Sequence, residues 1–407
     1  MNYQNEILLI SVSGRDKPGL TAQLTGILAQ HQVSVLDIGQ SVIHSTLSLG
    51  ILVELPNREE DSLLRSELVA MCDSSGFAVS FNQVPSDSYQ RWVDRQGQTR
   101  YIITLLARKI TADQLACLTR VVNQFGLNID GITRLSGRVP LGDLPALSKA
   151  CVEFSVRGPL AGSEELRRAL LELASELDID LGFQQDDMYR RNRRLVVFDM
   201  DSTLIEAEVI DELARLAGVG DQVVAITERA MRGELDFKAS FCERVALLKG
   251  LDANVLQSVA HGLKITEGAE RLVATLGKLG YKTAILSGGF TYFANYLQQR
   301  LGIDYVYANE LDVCDGKVTG KVVGEVVDGQ RKASLLRDIA AREGIALEQV
   351  IAVGDGANDL PMLSVAGLGI AFRAKPLVKQ KAEQSISKLG LDAILYLLGL
   401  SDRHHPQ

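Results

Sequence analysis

Four short runs of apolar residues, at 195–198, 283–286, 350–353 and 368–372, carry no alternation of polar and apolar positions. A strand with one wet face must alternate, so unbroken runs of this kind are buried on both faces, and that condition is met by a parallel sheet wrapped in helices. Three of the runs end in polar clusters. The first opens directly into Asp199-Met200-Asp201-Ser202-Thr203, the second closes at Ser287-Gly288-Gly289, and the third at Gly354-Asp355-Gly356-Ala357-Asn358-Asp359. In a doubly wound parallel sheet ligands bind off the carboxyl ends of the strands, so the three clusters are expected on one edge. Lys332 falls between the second and third clusters, near the start of a helix expected at about 332–333.

Close carboxylates repel one another unless a cation compensates. An oxygen-only ligand set favours magnesium over zinc, and the five histidines (His31, His44, His261, His404, His405) form no group near the clusters. A magnesium-carboxylate centre suits phosphoryl transfer, where charge on the phosphate oxygens must be neutralised during in-line attack. Asp199 and Asp201, two apart on an extended chain, project the same way. One can attack phosphorus while the other gives a proton to the departing alkoxide and later takes one from water.

The D-x-D-S-T after a strand, the Ser-Gly-Gly after another, the lone lysine and the G-D-G-x-N-D together resemble the haloacid dehalogenase superfamily over residues 195–400. More narrowly, DMDSTLIEAEVIDELA, MRGELDFKASFCERVALLKG and LSGGF are similar to its phosphoserine phosphatase family. The resemblance implies hydrolysis of O-phospho-L-serine to serine and phosphate through an aspartyl-phosphate, the last step of serine biosynthesis. It implies Asp199 as nucleophile, Asp201 as general acid and base, and Mg2+ held by the Asp199 carboxylate, the Asp201 carbonyl and Asp355. Ser287, Gly288 and Lys332 would hold the phosphate, with Asn358 near the substrate and Asp359 supporting the metal.

About eighty residues separate the first two clusters and read as helices at 208–217, 223–232 and 237–248, an inserted helical cap at about 208–266. The family implies that Glu208 meets the substrate ammonium and that Arg244 grips its carboxylate through two parallel hydrogen bonds, with Met231 and Phe237 as apolar wall. The Asp315-Gly316 pair reads as a hairpin turn.

The amino-terminal half repeats itself. Ile7-Leu8-Leu9-Ile10 is answered by Tyr101-Ile102-Ile103-Thr104, and Val33-Ser34-Val35 by Leu127-Asn128-Ile129. Each copy reads as a ferredoxin-like βαββαβ unit, an antiparallel sheet with two helices on one face. The polar stretch 85–97 and the basic run Arg190-Arg191-Asn192-Arg193-Arg194 read as linkers, the second as a solvated hinge. The expected domains are therefore 1–85, 98–186 and 194–402. The two small units resemble ACT domains, which bind amino acids between paired modules. In the first, Gly14-Arg15-Asp16-Lys17-Pro18-Gly19-Leu20 carries the resemblance, with Asp16 and Gly19 as candidate effector contacts. There Pro18 can begin a helix and Gly19 lets a ligand approach its amino terminus. The second has Ala107-Arg108-Lys109-Ile110-Thr111 instead and lacks the Pro-Gly pair.

A formal net charge of -8 argues against nucleic acid or an anionic membrane as partner. Five dispersed cysteines, no apolar run long enough to span a bilayer and no basic, then apolar, leader lead to the expectation of a cytoplasmic protein. Serine as effector and a homodimer complete the expectation. Two alternatives stay open: transfer of the aspartyl-phosphate to another alcohol such as homoserine, and an amino-acid sensor carrying a spent phosphatase domain.

Overall fold

The computed structural model describes residues 6–56, 61–139, 142, 147–160 and 162–404, apart from the side chains of Met231 and His404. It divides into two compact units, Met1–Gln98 and Thr99–Gln407.

The first unit runs β1 (Glu6–Arg15), α1 (Leu20–Gln30), β2 (Ser34–Ile43), β3 (Thr46–Leu55), α2 (Asp61–Ser75) and β4 (Phe77–Val84), with antiparallel strands ordered β2-β3-β1-β4. Every second residue of β3 is buried, and Leu47, Leu49, Ile51, Val53 and Leu55 meet Leu24 and Leu28 of α1 and Leu64 and Leu68 of α2 in one core. Period-2 strands against period-3.6 helices thus build the expected unit. The stretch expected as a linker is instead helical: α3 spans Ser86–Asp94, with Tyr89 and Trp92 rings 5.8 Å apart on one face. Its polar composition hid a helix that buries none of its residues.

The second unit opens with the same plan: β5 (Arg100–Ala107), α4 (Ala112–Gln124), β6 (Asn128–Arg134), β7 (Ala150–Arg157), α5 (Ser163–Glu176) and β8 (Asp180–Gln185), ordered β6-β7-β5-β8. Next comes β9 (Leu195–Phe198), and then a π-helical turn at Met200–Leu204. Four helices follow, α6 (Val209–Leu216), α7 (Gly220–Met231), α8 (Phe237–Ala246) and α9 (Asn254–Gly262). The chain continues through α10 (Ala269–Lys278), β10 (Lys282–Phe290), α11 (Thr291–Leu301), β11 (Tyr305–Cys314), β12 (Lys317–Val323), α12 (Gly329–Glu343) and β13 (Val350–Gly354). It finishes with α13 (Leu360–Val365), β14 (Leu368–Phe372), α14 (Pro376–Lys381), β15 (Gln384–Ile386) and α15 (Ile394–Leu397).

The large sheet has the order β12-β11-β10-β9-β13-β14-β15, parallel except for the edge strand β12. Successive residues of its central strands enter two different cores. Val196, Phe198, Ile285, Ile351 and Val353 enter one, and Leu195, Val197, Ala284, Leu286, Val350 and Ala352 the other. Both faces are therefore covered, as the unbroken apolar runs require. Asp315 and Gly316, at φ 50° and 74°, make the hairpin turn between β11 and β12.

The basic run between β8 and β9 is not a solvated hinge. Arg190 is fully buried and its guanidinium donates to Glu153 of β7, while buried Arg193 donates to the carbonyl of Glu348. Local composition could not reveal partners 37 and 155 residues away. Beyond that pair, the second small module is fastened to the large sheet side by side. The Gln384 carboxamide accepts from Phe183 N at 2.9 Å and donates to Phe183 O at 2.5 Å, and Asp180 accepts from Ser387 N and Lys388 N at 2.8 Å each.

Candidate active site

The site begins where β9 stops. The Asp199 amide donates to Val353 O at 2.8 Å, which continues the sheet ladder by one residue, and the chain then turns through Met200–Leu204. Ser202 takes the left-handed conformation at φ 56°, a strained choice for a side chain with a Cβ. That turn sends the Ser202 hydroxyl to Glu208 Oε1 at 2.8 Å, while the Asp201 carboxylate accepts from Val209 N at 3.0 Å, one residue into α6. The strand end is thereby tied directly to the first helix of the insertion.

Lys332 is wholly buried in the first turn of α12, whose start is fixed by the Asp328 side chain accepting from Arg331 N. The helix begins at Gly329, a turn earlier than expected. The Lys332 ammonium donates to Asp199 Oδ1 at 2.6 Å and Asp359 Oδ1 at 2.7 Å. Burial alone would depress its pKa, but attraction to Asp199 and Asp359 outweighs burial and holds it above the ordinary lysine value. Asp359 uses its second oxygen to accept from Gly356 N at 3.0 Å.

Carboxylate oxygens of Asp199, Asp355 and Asp359 lie within 4.8 Å of one another. Burial, and then repulsion from Asp359 and Glu208, push the Asp355 carboxyl up to about 7. Burial first, then Asp359, push Asp199 upward against the pull of Lys332. Burial followed by repulsion from Glu208 raises Asp201 well above the usual carboxylate range. One ammonium does not neutralise this cluster, and an all-oxygen donor set short of positive charge fits a hard divalent cation. Asp201 lies outside the side-chain trio. The expectation assigned its carbonyl to the metal, and its carboxylate lies beside Gly289.

Glycines decide how closely the loops approach. A Cβ on Gly289 would lie 2.4 Å from Asp201 Oδ2, and one on Gly354 would lie 2.5 Å from Asp359 Cγ. On Gly288 it would meet the Phe237 ring at 2.8 Å, so the insertion touches the carboxyl end of β10. Ser287 is buried with its hydroxyl accepting from Gly289 N at 2.8 Å, and the Gly288 carbonyl accepts from Asn309 Nδ2 at 2.8 Å. Asn358 is half-buried beside Asp359, with Nδ2 3.5 Å from Asp359 Oδ1.

Within the insertion, Glu208 is exposed at the amino end of α6 and Arg244 is half-buried on α8. Arg244 donates to Ser240 O at 3.4 Å, and among the described residues no carboxylate is within ion-pair distance of it. Burial lowers its pKa, opposed by attraction to Glu208, Asp211 and Asp201. Phe237 stacks on Phe241 with centroids 6.1 Å apart. Met231 ends α7, and its side chain is outside the described residues.

In the first unit, Asp16 and Gly19 are exposed in the turn between β1 and α1. Asp16 N donates to Ser45 O at 2.8 Å, and Gly19, at φ 99°, holds the position before the helix, which starts two residues beyond Pro18. A shallow depression of about 530 Å³ lies on the open face of that sheet, lined by Ser11, Ser13, Gln40, Ser41 and Ser48 among others, and includes neither Asp16 nor Gly19.

Sequence reasoning passed over three groups. Ser202 and Gly289 stood inside recognised motifs, and for Ser202 its place directly after Asp201 was the available signal. Asn309, which bridges the Gly288 carbonyl and Val327 N at 2.8 Å each, lies in β11 with no local mark.

A parallel sheet with a carboxylate cluster and a buried lysine at its strand ends defines a haloacid dehalogenase-like hydrolase, and residues 196–364 match that family. Residues 6–82 and 99–184 each match ACT domain families. A phosphoserine phosphatase of Streptomyces coelicolor is 42% identical over 97% of this chain and 92% of its own, and phosphoserine phosphatase SerB2 of Mycobacterium tuberculosis is 42% identical over 97% and 93%. The chain belongs to the phosphoserine phosphatase family, as an enzyme with two amino-terminal ACT domains. Among solved structures, a haloacid dehalogenase family hydrolase from Salmonella enterica serovar Typhi is similar at TM-score 0.62, 33% identical, covering 74% of this chain and all but 2% of that one (98%). A probable phosphoserine phosphatase from Vibrio cholerae follows at TM-score 0.59, 35% identical, covering 76% and 88%.

Proposed function

We propose that this enzyme hydrolyses O-phospho-L-serine to L-serine and phosphate, the closing step of serine biosynthesis, with Asp199 as nucleophile. The observation that carries the reading is the Lys332 ammonium bound to Asp199 and Asp359 beside Asp201, directly beneath an insertion bearing Glu208 and Arg244. An Asp199 oxygen attacks phosphorus as the bond from phosphorus to the seryl oxygen breaks, and Asp201 protonates that oxygen. The raised pKa of Asp201 supports its acid role. Asp201 then takes a proton from water, whose oxygen attacks phosphorus as the bond to Asp199 breaks, and phosphate leaves.

Ser287, Gly288, Lys332 and Asn358 hold phosphate oxygens, and Glu208 and Arg244 read the ammonium and carboxylate. Phe237 and Met231 wall the cleft. Asp199, Asp355 and the Asp201 carbonyl would hold Mg2+, with Asp359 in support. The ion would supply positive charge to the phosphate oxygens.

The domain limits we propose are 1–85, 98–186 and 194–402, with the cap at about 208–266. We place the enzyme in the cytoplasm, a reading supported by five free cysteines and by the absence of a described helix long and apolar enough to cross a membrane. Serine acts as effector at the first ACT domain near Asp16 and Gly19, in a homodimer. Edge strand β2, which exposes Val35, Ile38, Val42 and Ile43, supports pairing between copies. The deciding experiment is phosphate release from O-phosphoserine with Mg2+. Wild type should turn over without an added alcohol and Asp199→Asn should lose at least ~1,000-fold in kcat. Release that required homoserine would overturn hydrolysis in favour of transfer.

A further inference from the structure

The loop after β5 occupies in the second ACT domain the place that Arg15 to Gly19 occupy in the first, yet it faces the catalytic domain. Arg108 donates through both terminal nitrogens to both oxygens of Glu267, at 2.8 and 2.7 Å. The arginine is itself braced, because its carbonyl accepts from Ser148 Oγ at 2.9 Å.

Glu267 stands at the foot of the helical insertion. The chain leaves the catalytic domain at Ile205 and returns at Ile265, and these two residues form an isolated antiparallel bridge. Flanking hydrogen bonds join Glu206 N to Lys264 O at 2.9 Å and Thr266 N to Leu204 O at 3.0 Å. Glu267 follows directly on the return strand. Arg373, held at φ 46° after β14, reaches Glu267 at 3.4 Å and Glu206 on the outgoing strand at 3.5 Å. A second tether lies alongside: Lys149 of the same ACT domain pairs with Asp392, which also accepts from Arg271 of α10 at 2.9 Å. Gly268 passes so close to Asp392 that a Cβ would lie 2.2 Å from its Oδ1. Two cations of one ACT domain thus converge on the point where the return strand enters α10.

We propose that the second ACT domain clamps the hinge of the helical insertion, with Arg108 as a positioning residue that acts through Glu267 to set how Glu208 and Arg244 sit over Asp199. The inference rests on the reading that the insertion recognises the substrate. A bidentate guanidinium-carboxylate pair fixes direction as well as distance, which a hinge foot requires and a lysine cannot supply. The sequence difference between the two ACT loops acquires a reason: one loop is open to solvent, and the other is occupied by the enzyme's own hinge.

The test compares full-length wild type, Arg108→Ala, Arg108→Lys and Glu267→Gln on O-phosphoserine and on para-nitrophenyl phosphate, which has no ammonium or carboxylate to be read. The clamp predicts a drop of roughly 10-fold in kcat/KM for O-phosphoserine in Arg108→Ala, carried by KM, with less than about 2-fold change for para-nitrophenyl phosphate and partial recovery in Arg108→Lys. Hydrogen exchange at the Glu206 and Thr266 amides should accelerate about 5-fold while β13 is unchanged. Equal losses on both substrates, or unaltered exchange at the hinge, would overturn it. Wild type that fails to favour O-phosphoserine would sink the substrate reading, and hinge exchange would still decide the clamp. Should Arg108→Ala fail to fold, Arg108→Lys and Glu267→Gln carry the same comparison.

Discussion

Asp201 and Asp199 are chemically the same side chain, two residues apart, in different surroundings. Asp199 faces Lys332 at 2.6 Å, whereas the Asp201 carboxylate has the Val209 amide and the repulsion of Glu208. Replacing Asp201 by Asn should therefore cost most where the leaving oxygen needs a proton. On O-phosphoserine kcat should fall at least ~100-fold. On para-nitrophenyl phosphate, whose phenolate departs unprotonated, attack should survive and water attack should fail, giving a burst of nitrophenolate equal to the enzyme present. A burst-free trace, with both substrates reduced alike, would remove Asp201 from the proton path. At this scale most of the site was legible, because Asp199, Ser287, Lys332 and Asp355 are marked by their places at strand and helix ends. The Ser202 to Glu208 bond and the Asn309 bridge were not, since each depends on a backbone turn or a strand register that no local pattern encodes.

Elements were legible where one periodicity ruled and obscure where polar residues had distant partners. The unbroken apolar runs gave the parallel strands, and the alternating ones gave the antiparallel modules. The basic run at 190–194 misled because charge was taken as a sign of solvation, whereas Arg190 is buried against Glu153, with Asp186 at 3.9 Å. The two readings differ in what Arg190→Ala does. A solvated hinge residue would change stability by less than about 0.5 kcal/mol. Removing one partner of a buried pair strands the other, so a loss of about 3–5 kcal/mol is expected in denaturant unfolding. Replacing Arg190 and Glu153 together by apolar residues of similar volume should recover much of that loss, which would separate pairing from mere packing.

At the scale of the whole molecule the repeat announced two similar modules, but their sequences gave no sign that the second is welded to the catalytic domain. That weld depends on single side chains such as Gln384, which meets Phe183 across 201 residues of chain, and Gln184, which donates to Leu397 O at 3.0 Å. The consequence is a sharp dependence on where the chain is cut. A protein beginning at Thr99 keeps every contact of its own compact unit. It should unfold as one cooperative transition and turn over O-phosphoserine within about 2-fold of the full chain, while losing its response to serine. A protein beginning near residue 190 loses Phe183, Arg108 and Lys149, the ACT-domain partners of Gln384, Glu267 and Asp392, and leaves Leu397 and its buried neighbours exposed. It should melt well below the Thr99 form and show a raised KM, because the hinge foot at Glu267 has lost Arg108. Calorimetry and phosphate release with and without serine distinguish these outcomes. Equal melting of the two truncated forms would mean that the second ACT domain contributes nothing to the catalytic domain, and persistence of serine control in the Thr99 form would move the effector site out of the first.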